Sequence, residues 1–497
     1  ADRNTGRYLL QSTDRWHAYH QIPEAGAPAV GSQAPSYHRA AVESRVADYF
    51  ESVRPPQQDW RSIQDVDPII AEYEHRVRAG EIDPALRVLD LIDREFLFRW
   101  GHFSRLVELR TMVLDQPASP SLMAANLASL GLASQVLGDY DAAMDHYERA
   151  VELDLACDDK EAHVRHLGDL GRLYRNLGHM SKAIEATMTA LNYATDQGDR
   201  EAVGRWSDRL GLVYTSVGRL DEALALHDEA LSVARSFGNR AGEGAPLNNR
   251  GVTLVAKGCM EEALAAFEES LPIMVEVGDR RGDVIFTGNL GWVAEIGGEY
   301  DQALTLRRKS FDLAVDLGER REQSYQLLGM GRARVGLGEL ELAKADLRSA
   351  RNLNVPETGY LAALSLSLLL ARMGSSDSGA AFEDTIRRCR ERLERSSDLF
   401  SARYALGTAL LGSASSGSDW SVPAERQAAL AEASAEYGRA LQVCAAKGAI
   451  TAALADLRQL AASGVDGLEP ILEMLTDAAA NPAASGANEG AEGGIAE

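Results

Sequence analysis

The stretch LGDLGRLYRNLGHMSKAIEATMTAL at residues 167–191 decides the fold, because its pattern returns throughout the middle of the chain. Its two landmark glycines, Gly171 and Gly178, both recur every 40 residues. A fixed period of this size is the sequence signature of stacked repeats. The two series are Gly131, Gly171, Gly211, Gly251, Gly291 and Gly331, and Gly138, Gly178, Gly218, Gly258, Gly298 and Gly338. Residues 120–355 are therefore predicted to hold six repeats.

Each repeat is interpreted as two helices, A and B, separated by a tight turn at the second glycine. In helix B, small residues recur seven apart, as at Ala183 and Ala190, which lets a neighbouring backbone come close on one face. Between repeats, pairs such as Gly198-Asp199 predict a helix that ends in a left-handed glycine and a polar residue that begins the next helix. The same pattern recurs at Gly238-Asn239, Gly278-Asp279 and Gly318-Glu319.

Composition excludes several classes of protein. The 51 Lys and Arg against 74 Asp and Glu give a net charge of −23, which argues against general nucleic-acid binding because the chain would repel phosphates. The four cysteines are far apart, so no zinc ribbon, redox dithiol or disulfide framework is expected, and a cytoplasmic location is predicted. No run approaches the ~18 apolar residues of a spanning helix, so no membrane association is expected.

The flanks are predicted to be helical but less regular. Residues 38–119 are interpreted as helical hairpins that lead into the repeats, and residues 356–477 as irregular helical repeats with a C-terminal cap that includes one segment at 448–477. A loop is predicted at 413–420, a solvated tail at 478–497, and a bend at Pro272 inside a helix B. Residues 1–37 are interpreted as an irregular segment, the remnant of a winged-helix element.

The repeats resemble the tetratricopeptide repeat in a form of about 40 residues. The resemblance rests on residues 127–153, 167–191, 209–231 and 289–311, which match the family's L-G-x-x-Y, G-x-x-x-x-A and A-L positions. The third position departs from Tyr in four repeats, and the usual closing Pro is replaced by the Gly-Asp loop. The resemblance implies an all-α fold, a right-handed superhelical solenoid with irregular helical flanks, and a concave groove lined by the A helices.

A second resemblance lies before the repeats. The order HRAAVESRVADYF at 38–50, a Trp at 60, DVDPIIAEYEHRVRAGEIDPA at 65–85 and RWGH at 99–102 is similar to the region that precedes the sensor repeats in bacterial STAND ATPases. That family implies a repeat sensor for a trigger, an ATPase in cis, oligomerisation on activation, and a role in bacterial immunity such as antiphage defence. Because the sequence contains no G-x-x-x-x-G-K-[ST], an ATPase and effector would have to lie N-terminal to Ala1.

Arginine and asparagine side chains gather at the groove positions of the A helices. The binding interpretation is that forked guanidinium groups hold carboxylates of an acidic peptide or a C-terminus. The alternative is that these side chains pair internally with Asp169, Asp208 or neighbouring Glu residues, and that Trp292 fills a packing gap. The groove also requires that the chain's own ends leave it open. The candidate residues are Arg165, Arg172, Arg175, Asn176, Arg205, Asp208, Arg209, Asn248, Asn249, Arg250, Asn289, Trp292 and Arg332.

No catalytic, cofactor or metal site is predicted. Glu72 and His75 have metal-ligand spacing, but a di-iron bundle needs a second such pair, so a surface ion pair is favoured. An aromatic packing element is favoured over a ligand patch for His17 and His20, and a loop cysteine over a zinc trio for Cys157, His163 and His166.

Two functions remain open from the sequence. The first is a sensor arm that captures a protein or peptide trigger and regulates an attached ATPase. The second is a constitutive scaffold, or a free peptide-receptor regulator, with no nucleotide switch.

Overall fold

The computed structural model describes residues 38–416 and 422–481, and every regular element within these ranges is helical. The all-α solenoid predicted from the repeats is confirmed. The predicted winged-helix remnant, with His17 and His20, lies outside the described residues, as do residues 417–421 and 482–497. Among the described helices, none is both long and apolar enough to cross a bilayer.

Helices α1 to α4 precede the repeats, and the first three form two consecutive hairpins because α1 packs against α2 and α2 packs against α3. They are α1 (Arg39–Ser52), α2 (Ile63–Ala79), α3 (Ile82–Asp90) and α4 (Phe103–Thr111). A six-residue π-helical turn, Asp93–Phe98, lies between α3 and α4. The hairpins share an apolar core that includes Tyr73 and Leu89.

Six helix pairs follow as predicted, each with an A helix and a B helix. The A helices are α5 (Pro120–Leu137), α7 (Lys160–Leu177), α9 (Arg200–Ser216), α11 (Arg240–Lys257), α13 (Arg280–Ile296) and α15 (Arg320–Leu337). The B helices are α6 (Tyr140–Ala156), α8 (Met180–Asp196), α10 (Leu220–Ser236), α12 (Met260–Val277), α14 (Tyr300–Asp316) and α16 (Leu340–Asn352).

Six more helices complete the described chain. They are α17 (Gly359–Arg372), α18 (Ser378–Arg395), α19 (Phe400–Ser416), α20 (Pro423–Val443), α21 (Lys447–Ala462) and α22 (Glu469–Ala480). The pairs α17–α18 and α19–α20 continue the solenoid as a seventh and an eighth pair, with α17 and α19 as A helices, because each packs against its neighbours in chain order.

The periodic glycines act at the helix ends as predicted. Gly178, at the turn between α7 and α8, has φ of 93°, and Gly198, before α9, has φ of 70°. Both lie in the left-handed region that a side chain disfavours. Asp199 then caps α9, because its carboxylate accepts the Ala202 N–H at 3.0 Å.

The solenoid coils so tightly that successive turns touch. A Cβ at Gly138 would lie 3.0 Å from Arg320 Cβ, and Arg395 Nη1 donates to the Leu177 carbonyl at 3.0 Å. The residues joined by such hydrogen bonds are 180, 216 or 218 positions apart, which is about five repeats. One superhelical turn therefore takes about five repeats, and the A helices enclose an inner channel.

The C-terminal hairpin fills part of this channel. Helix α21 contacts α11, α17 and α19, which are all A helices, and its Asp456 lies within charge range of Arg332 on α15 and Glu295 on α13. These five A helices make one complete turn, so they surround α21. Ile450 and Leu457 of α21 are fully buried there. The predicted open groove is therefore restricted to the channel mouth at the N-terminal ends of α7, α9 and α11.

Three details differ from the sequence prediction. Residues 448–477 form two helices rather than one, and they turn back into the channel because α21 has a continuous apolar face. Helix α19 extends to Ser416, into the predicted loop, and the Oγ atoms of Ser415 and Ser416 bond the Gly412 carbonyl. Helix α22 reaches Ala480, which lies within the predicted tail.

Candidate binding site in the inner channel

A ladder of polar side chains connects consecutive A helices along the inner channel. Arg209 Nη1 on α9 donates to Asp169 Oδ1 on α7 at 2.7 Å. Asn249 Nδ2 on α11 donates to Asp208 Oδ2 at 2.9 Å, and Asn289 Nδ2 on α13 donates to Asn248 Oδ1 at 2.8 Å. The donors all stand two residues before the first periodic glycine, so the 40-residue period itself generates the ladder. We call this row the inner ladder.

The inner ladder begins before the first repeat. Ser129, at the same position of α5, donates to Asp93 Oδ2 of the π-helical turn at 2.5 Å. The next residue, Arg94, donates through Nη2 to Asp169 Oδ2 at 3.3 Å. The buried Arg110 also bonds Asp93 and, at 2.6 Å, Asp90. The hairpins before the solenoid are thus part of the site.

Asp169 is the central carboxylate of the channel mouth. It is only 2% exposed, so burial raises its pKa, but the charges of Arg209, Arg94 and Arg172 outweigh burial and hold the pKa well below its usual range. One anion thus balances three neighbouring guanidinium groups, and the site has an excess of positive charge.

Arg172 and Arg175 contribute to this excess. Arg172 donates to Gln135 Oε1 at 3.0 Å and to the Tyr147 hydroxyl at 3.2 Å, while Arg175 donates to Asn176 Oδ1 at 3.1 Å. Among the described residues, neither forms an ion pair with a carboxylate. Burial lowers the pKa of both guanidinium groups, and the nearby charge of Arg321 helps to bring that of Arg175 to about 10. Both side chains are therefore destabilised cations that an anion would stabilise.

Arg165 and Arg205 stand at the channel mouth on α7 and α9. Both are exposed and make no hydrogen bond or ion pair within the described residues. They lie one turn from Asp169 and Arg209 on the same helix faces. Glu161 and Glu201 lie a further turn towards the helix N-termini and are also exposed. The mouth therefore offers two cations that pair with no described residue, and one exposed glutamate lies a turn beyond each of them.

The other candidate residues have mainly packing or pairing roles. Asp208 accepts from His227 Nδ1 at 2.7 Å, and Asn248 is buried in the ladder. Arg250 pairs with Asp228 on α10, away from the other arginines, at 2.9 Å. Trp292 packs beside the Phe267 cluster. Arg332 donates to Ser365 Oγ at 3.0 Å, next to α21. The candidate residues that could contact a ligand therefore lie mainly on α7 and α9.

Sequence reasoning missed Arg94, Gln135 and Tyr147. Arg94 lies outside the 40-residue pattern, so no periodic signal could have brought it to Asp169. Gln135 and Tyr147 occupy repeat positions where the other repeats vary, and only the three-dimensional packing shows that both bond Arg172.

The residues with metal-ligand spacing, for which no metal site was predicted, make other contacts. Glu72 is fully buried, not a surface group, and accepts from Arg54 and Arg76 at 2.6 and 2.9 Å. His75 bonds Glu43 instead. His166 Nδ1 bonds Asp154 Oδ2 at 2.7 Å, and Cys157 is exposed. No group of three potential metal ligands occurs among the described residues.

Glu319 is a buried carboxylate that is expected to make the stability of the fold dependent on pH. It is 1% exposed, 2.7 Å from Arg281 Nε, and next to Gly318, which touches Leu137 of the first turn. Burial raises its pKa to about 7, helped by Glu322 and opposed by Arg281 and Arg321. The folded protein therefore binds the proton more tightly than the unfolded chain.

We expect the free energy of unfolding to fall as pH rises from about 4.5 to 7 and to level off above that range. The loss should be a few kcal/mol, since one pKa unit corresponds to about 1.4 kcal/mol. Urea titrations at pH 5 and pH 8 measure it. Glu319→Gln should reduce this slope, and an unchanged slope would assign the pH dependence to other groups.

Family models match the repeats. Two models described as "Tetratricopeptide repeat" match residues 203–274 and 242–314, and residues 124–157 and 167–197. The middle of the chain therefore consists of tetratricopeptide repeats. A model described as "Anaphase-promoting complex subunit 5" matches residues 293–406. The comparison with curated proteins gives no match.

Several solved structures are similar to this chain. A Rap protein complexed with competence and sporulation factor is 15% identical, with a TM-score of 0.50 over 72% of this chain and 98% of that one. The Rap conjugation regulator of plasmid pLS20, in complex with the Phr* peptide, is 15% identical, with a TM-score of 0.49 over 73% and 97%. A STAND protein with a tetratricopeptide repeat sensor from Pyrococcus horikoshii is 12% identical, with a TM-score of 0.41 over 82% and 53%.

Proposed function

We propose that this chain is a sensor that captures an acidic protein or peptide segment at the mouth of its inner channel. The observation that carries this proposal is the excess of arginine around one carboxylate. Asp169 has ion pairs to Arg94 and Arg209, and Arg172 lies within charge range. Arg165 and Arg205 stand one turn away and pair with no residue that the structure describes. Guanidinium groups form forked hydrogen bonds with carboxylates, which suits them to an acidic ligand.

The charge distribution supports selective rather than general anion binding. A net charge of −23 repels polyanions at long range, so only a ligand that enters the mouth meets the positive field. At physiological ionic strength this field decays over about 8 Å, which limits recognition to groups that approach Arg165 and Arg205 directly. A flexible acidic segment meets this condition better than a rigid duplex.

The sensor is proposed to regulate an ATPase and effector in cis, and to act in bacterial defence. This part rests on the resemblance of residues 38–115 to the region that precedes STAND sensor repeats. A Rap protein of the same fold is complexed with competence and sporulation factor. A ligand that switches such a protein almost fully must bind one state about 5.5 kcal/mol more tightly than the other.

A charge reversal at the mouth tests ligand capture. We expect the double variant Arg165→Glu, Arg205→Glu to bind a fluorescein-labelled octaglutamate peptide at least about tenfold more weakly than the wild type, because two attractive charges become repulsive. Fluorescence anisotropy at two salt concentrations measures it. Both side chains are exposed and unpaired, so circular dichroism should show an intact fold.

The matched control is Lys309→Glu, Arg348→Glu, which gives the same change in net charge on B helices. Lys309 is 64% exposed and Arg348 is exposed. The control should bind the peptide with no more than a small loss. Equal weakening of both variants would show that only net charge matters and that the mouth is not the site.

A constitutive scaffold is the second candidate, and the closed coil favours it. Arg392 and Arg395 bond the C-terminal carbonyls of α7, and α21 fills the channel, so a large change of curvature would break both sets of contacts. Small-angle scattering with and without a captured ligand distinguishes the two functions. A scaffold should keep its dimensions, whereas a sensor that opens the coil should not.

A further inference from the structure

We propose that Arg94 makes the ligand site a composite of the solenoid and the hairpins before it, so that the occupied site acts on residues 38–111. This inference rests on the proposed function. It adds a path by which ligand binding at the repeats affects the helices that precede them. The carboxylate of Asp169 forms ion pairs with two arginines, one from the chain before its repeat and one from the chain after it. Arg94 comes from the hairpin region and Arg209 from the third repeat.

The π-helical turn fixes Arg94 in this position. Its first residue, Asp93, is buried and bonded to both Ser129 and Arg110, which ties the turn to the first repeat and to α4. Arg94 then reaches past the first repeat to Asp169 in the second. An extra residue in a helical turn shifts the side chains that follow it, and such turns are frequent at functional sites.

Arg94 retains free donors for a ligand. Its side chain is 49% exposed, and within the described residues only Nη2 makes a hydrogen bond, to Asp169. A guanidinium group has five N–H donors, so most of them remain available. Arg209 is 25% exposed and stacks on Trp206, with its Cζ 4.5 Å from the ring centroid. Arg209 is therefore held rigidly, while Arg94 is the more adaptable partner.

A ligand carboxylate between these two arginines would compete with Asp169 for Arg94. The ion pair between Arg94 and Asp169, at 3.3 Å, is weaker than the one between Arg209 and Asp169, at 2.7 Å, and should break first. Occupancy therefore replaces a contact between Arg94 and the solenoid by a contact between Arg94 and the ligand. Asp93 is adjacent to Arg94 and is bonded to Arg110 of α4. The loss of the contact between Arg94 and Asp169 is therefore transmitted through Asp93 to α4.

Hydrogen exchange on the full chain, with octaglutamate as the probe, tests this route. In the wild type we expect the peptide to protect backbone amides in α7, α9 and residues 93–111. Arg94→Ala should weaken binding about tenfold, the cost of one charged contact. At a peptide concentration that saturates the variant, protection should persist in α7 and α9 but disappear at 93–111.

Arg99→Ala is the matched control, because Arg99 follows the same turn and, among the described residues, pairs only with Glu95 on its own helical segment. It should bind and exchange like the wild type, and Arg94→Lys should recover part of the affinity. If the wild type binds and Arg94→Ala matches it in affinity and in protection of 93–111, the composite site is wrong while capture by the repeats stands. If the wild type does not bind octaglutamate, the proposed function fails, and this inference with it.

Discussion

Gly211→Val should unfold the third repeat and destabilise its neighbours. A Cβ at Gly211 would lie 2.6 Å from His227 Cε1 and 2.9 Å from Nε2. His227 is fully buried and bonded through Nδ1 to Asp208, so its ring has no free space to enter. Overpacking alone costs about 1–3 kcal/mol, and breaking the His227–Asp208 pair adds about 1–3 kcal/mol. Thermal and urea unfolding followed by circular dichroism measure the loss.

The matched control is Gly438→Val, the same substitution in the middle of helix α20. A Cβ at Gly438 would meet no described atom within 4 Å, so stability should change by less than about 0.5 kcal/mol. Similar losses at the two positions would mean that helix propensity, not the close approach of α9 and α10, sets the effect.

The sequence predicts the repeats so well because their information is local and is repeated. Each turn glycine, each cap and each small residue at the contact between helices A and B lies within one 40-residue unit, and six copies reinforce the pattern. Gly198 and Asp199 take the predicted conformation and the predicted cap. The repeat period alone therefore predicts the helices to within a few residues.

The channel could not be predicted because its contacts join residues about five repeats apart. The hydrogen bond from Arg395 to Leu177 spans 218 residues, and no pattern within one repeat specifies how tightly the solenoid coils. The position of helix α21 could not be predicted for the same reason. Its apolar face at Ile450 and Leu457 predicts burial, but the sequence does not indicate that the A helices of another turn provide the partner surface.

The candidate site was predicted at the level of residue type but not of pairing. A single sequence places Asp169 and Arg209 at the same position of successive repeats, where they could face a ligand or each other. The structure shows that they face each other, and that Arg165 and Arg205 have no partner in the described part of the chain. The pairing interpretation therefore applies to Arg209, whereas the binding interpretation stays a prediction for Arg165 and Arg205.

Leu457→Asp should detach the second superhelical turn from the first. Leu457 is fully buried in a cluster that joins α21 to Met180 and Val213 of the first turn. An ionised carboxylate there would be buried without a partner in the cluster, which costs about 4 kcal/mol or more. Hydrogen exchange at the turns of repeats two to four should rise. Gln459→Asp, at an exposed position of the same helix, should leave exchange unchanged. Unchanged exchange in both variants would show that α21 does not hold the coil closed.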